Sequence, residues 1–553
     1  MTLFGYLWRS SRRLFVLAVL AGLVSGGTGA AFIALVNQAL AGDGEPGSAL
    51  VVSYLVLCTV TIGTRYLSQA ILFRLSQGAI YQLRRRLLTG TLDAPLRTVE
   101  RIGTPGLYSA LSDDVVVVAD ALPTLPGICS GVAFVVVAVA YLTTVAPAVA
   151  GATAVAVVVG AVLYRLLSGS GLNALHIARA QQDRLFGYFR AVTEGVKELK
   201  LSRARRDALL DDQLDPAAQD YRRHSVAGLT VLEGATQSGQ AVFFGFIGVL
   251  LFVLPGALSL STRTLTESVL TLLFAVSSMQ SVLTGLPALG RASVALASID
   301  ARLADLERIP PERPSPPGTT FGDWRAIRLA RVAHEYPGPA GERFTLGPVD
   351  LEIRRGEILF VVGANGSGKT TLAKVLTGLY PPESGLVEVA GVPVDADNRD
   401  AYRQLFSVVF SDFFLFDDLL GIPVEGRGEE IDRYLRHLRL DHAVHVVGDR
   451  FSTTALSTGQ RKRLALLVAF LEDRPCYVFD EWAADQDPVF KDVFYRVVLP
   501  DLRRRAAAVV VISHDDRYFD AADRLVRLDY GRIREEDVGG HALAGRPETG
   551  SGR

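Results

Sequence analysis

The sequence predicts an α-helical membrane domain of six spans fused to an α/β domain of the P-loop type. Three observations carry this reading. Hydrophobic residues, 49% of the 553-residue chain, pile into runs ahead of residue 290. A proline-rich break, "ERIPPERPSPPGTT", follows at Glu307–Thr320. Beyond it, short β-rich runs alternate with helical patterns, and one turn between them reads "GANGSGKTT". The expected division is 1–306 for the membrane domain, 307–320 for the linker, 321–540 for the α/β domain and 541–553 for a flexible tail. A mean hydropathy of +0.28 is high for a soluble chain. The net charge of −1 offers no case for a nucleic-acid partner. Cys58, Cys129 and Cys476 show neither metal-ligand nor disulfide-framework spacing and read as small buried hydrophobes.

Six apolar segments are each long enough to cross a bilayer, which takes roughly 20 helical residues. They run Leu14–Leu40, Leu50–Phe73, Ile128–Val145, Ala148–Leu167, Gly239–Leu260 and Ser268–Leu289. Glycine and serine within them suit close helix packing in lipid. Arg9, Arg12 and Arg13 precede the first span, and Arg84, Arg85 and Arg86 follow the second. The connection "AGDGEPGS" carries no Lys or Arg. The charge bias places the N-terminus and the segment after span six in the cytosol. The long gaps, about 74–127 and 168–238, are polar but keep helical periodicity, as in "AIYQLRRRLLTGTL" and "VTEGVKELKLSRARRDALLDDQL". Each gap is expected to hold two helical arms of ~25 residues, reaching ~35–40 Å into the cytosol. Asn37, Gln38, Arg65, Gln69, Ser277, Ser278 and Gln280 are candidate polar residues within the spans; each either lines a substrate path, sits at a helix seam or snorkels at an interface.

In the second domain "EILFVVG" reads as a buried strand, "GANGSGKTT" as a turn and "TLAKVLTGL" as a helix, the setting a phosphate-binding loop requires. Gly363, Gly366 and Gly368 let backbone N–H groups curl around phosphates, with Asn365, Ser367 and Thr371 completing the cradle. Lys369 is expected to reach the β- and γ-phosphates of ATP, and Thr370 to bind Mg²⁺. "CYVFDEW" supplies a second strand, with Asp480 at its end for the Mg²⁺ shell and Glu481 next to activate a water.

"LSTGQRKRLALLVAF", Leu456–Phe470, resembles the signature motif of ATP-binding cassette proteins, with Thr458 where a glycine is usual. Ser457, Gly459 and Gln460 open a helix there, where backbone donors favour a γ-phosphate. The resemblance extends to Tyr336 in "HEYPG" as the aromatic that stacks on adenine, His514 in "VVVISHDD" as the switch histidine, and Asp485 in "EWAADQDP" as the D-loop residue. With six spans ahead, the whole chain looks like a half-size exporter of this superfamily. That resemblance implies a homodimer in the bacterial cytoplasmic membrane, in which the phosphate loop of one chain faces the signature motif of the other. The arm contacts with the cassette are expected around Gly103–Ser112 and Gly195–Ser202. "TEGVKELKLSRARR" and "SVVFSDFFLFDDLL" resemble the bacterial cyclic-peptide and siderophore exporters, such as those for pyoverdine and syringomycin. The second fragment also departs from the superfamily: Ser411, followed by Asp412, stands where most cassettes have a Mg²⁺-contacting glutamine.

The leading reading is ATP-driven export of a peptide-like product. A lipid flippase or multidrug exporter is the alternative within the class. An ATP-gated regulator that transports nothing is the alternative outside it, and the intact Lys369, Glu481 and His514 weigh against that one.

Overall fold

A computed structural model describes residues 12–40, 48–258, 261–308, 312, 314–316, 318–337 and 343–538. The expected tail, 541–553, Arg9 and most of the "AGDGEPGS" connection lie outside the described residues. The chain divides into two units. One holds the helices up to Leu92 and from Thr98 to Glu307, and the other holds Asp93–Arg97 with the α/β domain.

The first unit is built from six long helices: α1 (Arg12–Leu40), α2 (Ser48–Asp93), α3 (Leu125–Val145), α4 (Pro147–Glu194), α5 (Asp215–Phe252) and α6 (Thr262–Glu307). Five of the six expected spans lie within one of them. The fifth, Gly239–Leu260, leaves α5 at Phe252, continues in a short helix, Leu254–Leu258, and ends outside the described residues. Six stretches among the described residues are long and apolar enough to cross a membrane. The arms are continuations of the spans. α2 runs 46 residues without a break, about 69 Å at 1.5 Å per residue. Its end is set by Pro95, which cannot continue a helix. The reversal in the first gap therefore begins at Ala94–Pro95, ahead of the Gly103–Ser112 stretch singled out from sequence. In the second gap α4 ends at Glu194, and a short helix, Val196–Leu201, occupies the Gly195–Ser202 stretch singled out from sequence.

α4 packs along α5, and α3 lies against both α1 and α6. Glycine makes these approaches possible, because lipid offers no hydrophobic reward for helix pairing and contact must come from close backbones. A Cβ on Gly228 would sit 2.9 Å from the Gly171 carbonyl oxygen, and one on Gly285 would sit 2.6 Å from Ile128 Cγ1. The hydroxyl of Ser68 donates to Ala18 O and that of Ser76 to Ala119 O, both at 2.8 Å. Asn37 is buried, and its amide lies 3.4 Å from Thr271 Oγ1. It stands at a helix seam, so the seam reading holds for this residue. Gln38, Gln69 and Gln280 are exposed within this unit.

The second unit carries two main sheets. β1 (Ala326–Pro337), β2 (Arg343–Arg354), β4 (Ser384–Val389) and β5 (Val392–Pro393) form an antiparallel sheet in the order β2-β1-β4-β5. β3 (Ile358–Val362), β6 (Phe406–Val409), β9 (Cys476–Asp480), β10 (Ala508–Ile512), β11 (Arg524–Asp529) and β12 (Arg532–Val538) form the other, in the order β12-β11-β3-β10-β9-β6. All its pairings are parallel except β11 with β12. A short ribbon joins β7 (Val446–Val447) to β8 (Arg450–Phe451). The sequence reading of a mainly parallel sheet thus describes one of two sheets. "RLARVAHEY" and "LVEVAG" went to the antiparallel one, as their alternation of buried and exposed residues suits a sheet with one wet face. β3, β9 and β10 are buried at every position, as parallel strands covered on both faces must be. Helix α7 (Lys369–Leu376) seats Leu372, Ala373, Val375 and Leu376 in the core between the sheets. On the other face of the parallel sheet a second core takes the apolar side of α8 (Gly428–His437) and α9 (Thr458–Glu472).

Candidate nucleotide site

Strand register brings the site together. Ile512 of β10 pairs with Val361 of β3 on one side and with Asp480 of β9 on the other. The carboxyl ends of three strands therefore lie level, and the residues just beyond them share one edge: Gly363, Glu481 and His514. Ligands of open parallel sheets bind at this edge.

The loop Gly363–Gly368 leads from β3 into α7. Gly363 has a positive φ, and a Cβ there would run into the Leu528 carbonyl. Gly368 caps α7 in the left-handed conformation, with φ of 100°. Asn365 and Gly366 are exposed at the loop's crest, and Thr371 is half-buried behind Thr370. Lys369 is buried, and its ammonium donates to Gly363 O at 2.8 Å and Ala364 O at 3.0 Å. The loop is wrapped around this cation. Ser367 Oγ is buried beside it with no hydrogen-bond partner. A buried charge and an orphaned hydroxyl under a curled loop fit an anion with several acceptor oxygens, which is what a phosphate chain offers.

Asp480 gathers the metal candidates. Thr370 Oγ1 donates to its Oδ2 at 2.9 Å, and Ser411 Oγ donates to the same oxygen at 3.3 Å. Asp480 Oδ1 is buried and unpartnered. Burial pushes this carboxyl above its ordinary range, and neighbouring Glu481 adds to the rise. One carboxylate and two hydroxyls are hard oxygen donors, a set that suits Mg²⁺ with phosphate oxygens completing its shell. The structure thus places Ser411 beside Asp480.

Glu481 follows with a φ of 50°, left-handed for a residue with a side chain. Its Oε1 lies 4.0 Å from Lys369 Nζ. His514, at the end of β10, is exposed. The next residue, Asp515, is held down to about 2 by the Arg517 guanidinium, with Lys491 helping. Tyr336 lies near the end of β1 and is 40% exposed.

Ser457 caps α9, and Gln460 completes a reciprocal capping box with it. Thr458 and Gly459 open the helix. The Gly459 carbonyl accepts from Gln486 at 3.0 Å. The carboxylate of Asp485 is engaged within the chain, 2.7 Å from the ammonium of Lys462. Sequence reading passed over Lys462, Arg463 and Gln486. Lysine and arginine early in a helix look like solvated residues, and only burial marks these as different.

A family model described as "ABC transporter" matches residues 346–484, and one described as "ABC transporter transmembrane region" matches 14–208. The chain is 35% identical over 549 residues to the ATP-binding protein SyrD of Pseudomonas syringae pv. syringae, covering 95% of each. It is 30% identical over 278 residues to an ATP-dependent lipid A-core flippase of Alkalilimnicola ehrlichii, covering 47% of this chain and 46% of that one. A solved bacterial Atm1-family ABC exporter with ATP bound superposes with a TM-score of 0.73 at 17% identity, over 96% of this chain and 95% of that chain, a likeness of fold. The end-to-end relative and the two matched regions place the chain in the ABC transporter family: it is a multi-pass membrane protein of exporter fold whose ATPase is coupled to transport.

Proposed function

We propose that two copies of this chain form an exporter in the bacterial cytoplasmic membrane, with the N-terminus and cassette in the cytosol, and that its cargo is a peptide-like product such as a cyclic peptide, lipopeptide or siderophore. The likeness to SyrD along nearly the whole chain carries this reading. The fragments "TEGVKELKLSRARR" and "SVVFSDFFLFDDLL" support it. The spans offer amides and hydroxyls and few acidic groups, a lining that suits a peptide backbone better than a cationic drug.

In this reading Tyr336 stacks on adenine and the Gly363–Thr371 segment cradles the phosphates. Lys369 neutralises their charge. Thr370 and Asp480, with Ser411 directly or through water, hold Mg²⁺, which screens the β- and γ-phosphates when bound. Glu481 takes a proton from the attacking water, and His514 contacts the γ-phosphate. Ser457, Thr458, Gly459 and Gln460 close the site from the partner chain, with Asp485 nearby. ATP draws the cassettes together, hydrolysis releases them, and the helical arms carry that movement to the spans.

Reconstitution in liposomes tests the cargo. Cyclic or lipidated peptides should stimulate ATP hydrolysis more than cationic dyes or lipid A do, and deletion of the gene should lower one secreted peptide. Stimulation by lipid A alone would favour the flippase reading, which the partial match to a lipid A-core flippase supports.

A further inference from the structure

Lys462 is the fifth residue of α9, and its side chain is 4% exposed. Its ammonium donates to the Glu481 carbonyl at 3.1 Å and pairs with Asp485 Oδ2 at 2.7 Å. Its own carbonyl accepts from Trp482 Nε1 at 2.8 Å. One buried residue of the signature helix thus makes three bonds to the turn that carries Glu481.

Glu481 needs such a hold. Its left-handed backbone is costly for a residue with a Cβ and persists only where the surroundings enforce it. Its N–H is tied to Ile512 O at 3.0 Å. Its carbonyl accepts from the Lys462 ammonium at 3.1 Å and, within the turn, from Ala484 N–H at 3.2 Å, so Lys462 is the contact that anchors it to the signature helix. These bonds clamp the peptide groups on either side of the Glu481 Cα, and so set the direction of Cβ and of the carboxylate beyond it. The rest of the turn has other supports. Trp482 stacks on Phe494 with centroids 4.4 Å apart, Arg463 donates to Gln486 at 2.8 Å, and the Arg463 guanidinium lies over the Phe490 ring at 4.0 Å.

We propose that Lys462 is a positioning residue for ATP hydrolysis, acting through the Glu481 backbone to aim the Glu481 carboxylate at the attacking water. The inference rests on Glu481 being the base assigned above. Loss of Lys462 leaves the carbonyl held only by the Ala484 N–H of its own turn and leaves the aromatic packing in place, so it misdirects the base without disturbing the phosphate loop.

The test uses full-length protein in liposomes, with single-turnover hydrolysis and ATP affinity measured for Lys462→Met, Lys462→Gln, Glu481→Gln and the Met and Gln changes in the Glu481→Gln background. Lys462→Met should slow hydrolysis about 10–100-fold with ATP Kd changed less than about twofold, as expected when only the aim of a catalytic group is lost. Lys462→Gln, whose amide still reaches toward the carbonyl, should recover part of that loss. In the Glu481→Gln background either change should cost less than about twofold, because the group being aimed is already gone. An equal loss in both backgrounds, a near-normal rate for Lys462→Met, or a Kd that worsens in step with the rate would overturn the proposal. If Lys462→Met does not fold, Lys462→Gln gives the same two-background comparison. Near-normal turnover by Glu481→Gln would remove the base itself, whereas an inactive Glu481→Gln beside a normal Lys462→Met would remove only the role of Lys462.

Discussion

Ser411 and Thr370 donate to the same oxygen of Asp480, and this shared acceptor defines what each residue is worth. Ser411 is the more distant of the two and exposed, so its hydroxyl is the more replaceable. Ser411→Ala should raise the Mg²⁺ concentration needed for half-maximal ATPase activity by about 10-fold, the lower end of what an outer partner of a metal site is worth, with ATP binding largely kept. Asp412→Asn should matter less; a severe effect there beside a silent Ser411→Ala would show that the aspartate holds the metal. His334 offers a separate test in the second unit. It is buried on β1, stacked on Tyr380 with centroids 4.8 Å apart, and one ring nitrogen faces Pro381 O at 3.2 Å. Burial holds its imidazole below the ordinary value of 6.5. The unfolded chain therefore binds the proton more readily than the native one. This contribution to stability is complete above about pH 6.5 and is lost as pH falls below it toward the folded value. The thermal midpoint of wild-type protein should fall more steeply below pH 6.5 than that of His334→Phe, which keeps the ring and lacks the titration. Parallel curves would refute the assignment.

At the scale of the element, the helices of the first unit are held by close glycine contacts rather than by a water-driven core. A Cβ on Gly131 would collide with the Ser278 carbonyl of α6, backbone that cannot swing aside. A Cβ on Gly27 would meet nothing within 4 Å. Gly131→Ala should therefore destabilise the protein by ~1–3 kcal/mol, the usual cost of overpacking, and lower its melting temperature in detergent. Gly27→Ala should be neutral or slightly stabilising, since alanine is the better helix former. Equal effects would mean that the α3–α6 seam is not set by glycine. The signature helix follows a different logic: α9 is tied at its first turns to the Glu481–Asp487 segment by Lys462, Arg463 and Gln486. Moving that helix moves the segment that carries Glu481.

For the whole molecule, the side chains of Ser457 and Gln460 bond within their own capping box, at the mouth of a helix whose opening dipole favours an anion. If that anion is ATP on a second chain, Ser457→Arg should abolish hydrolysis in the homodimer by filling the facing pocket. Mixing chains that carry Ser457→Arg with chains that carry Lys369→Ala should produce heterodimers with one intact composite site and one doubly damaged one. Activity should reappear on mixing, at about half the wild-type rate or below, if two sites contribute alike. Full activity from a strictly monomeric preparation would refute the shared-site model.

Spans, phosphate loop and signature motif were legible in the sequence because each is a local pattern. A bilayer demands about 20 apolar residues in a row, and a phosphate cradle needs its glycines and lysine at fixed spacing between a strand and a helix. Asp480 and Glu481 were legible for the same reason, at the end of an apolar strand. Three things depended on contacts between residues far apart in the chain. Ser411 became a partner of Asp480 only when β6 and β9 paired side by side. The division into an antiparallel and a mainly parallel sheet depended on which strands met, and periodicity does not specify partners. The burial of Lys462, and with it the clamp on Glu481, came from α9 lying against the turn after β9. A lysine in a polar heptad and a lysine sealed against a carboxylate read alike in sequence. They differ only in the solvent that the tertiary structure removes.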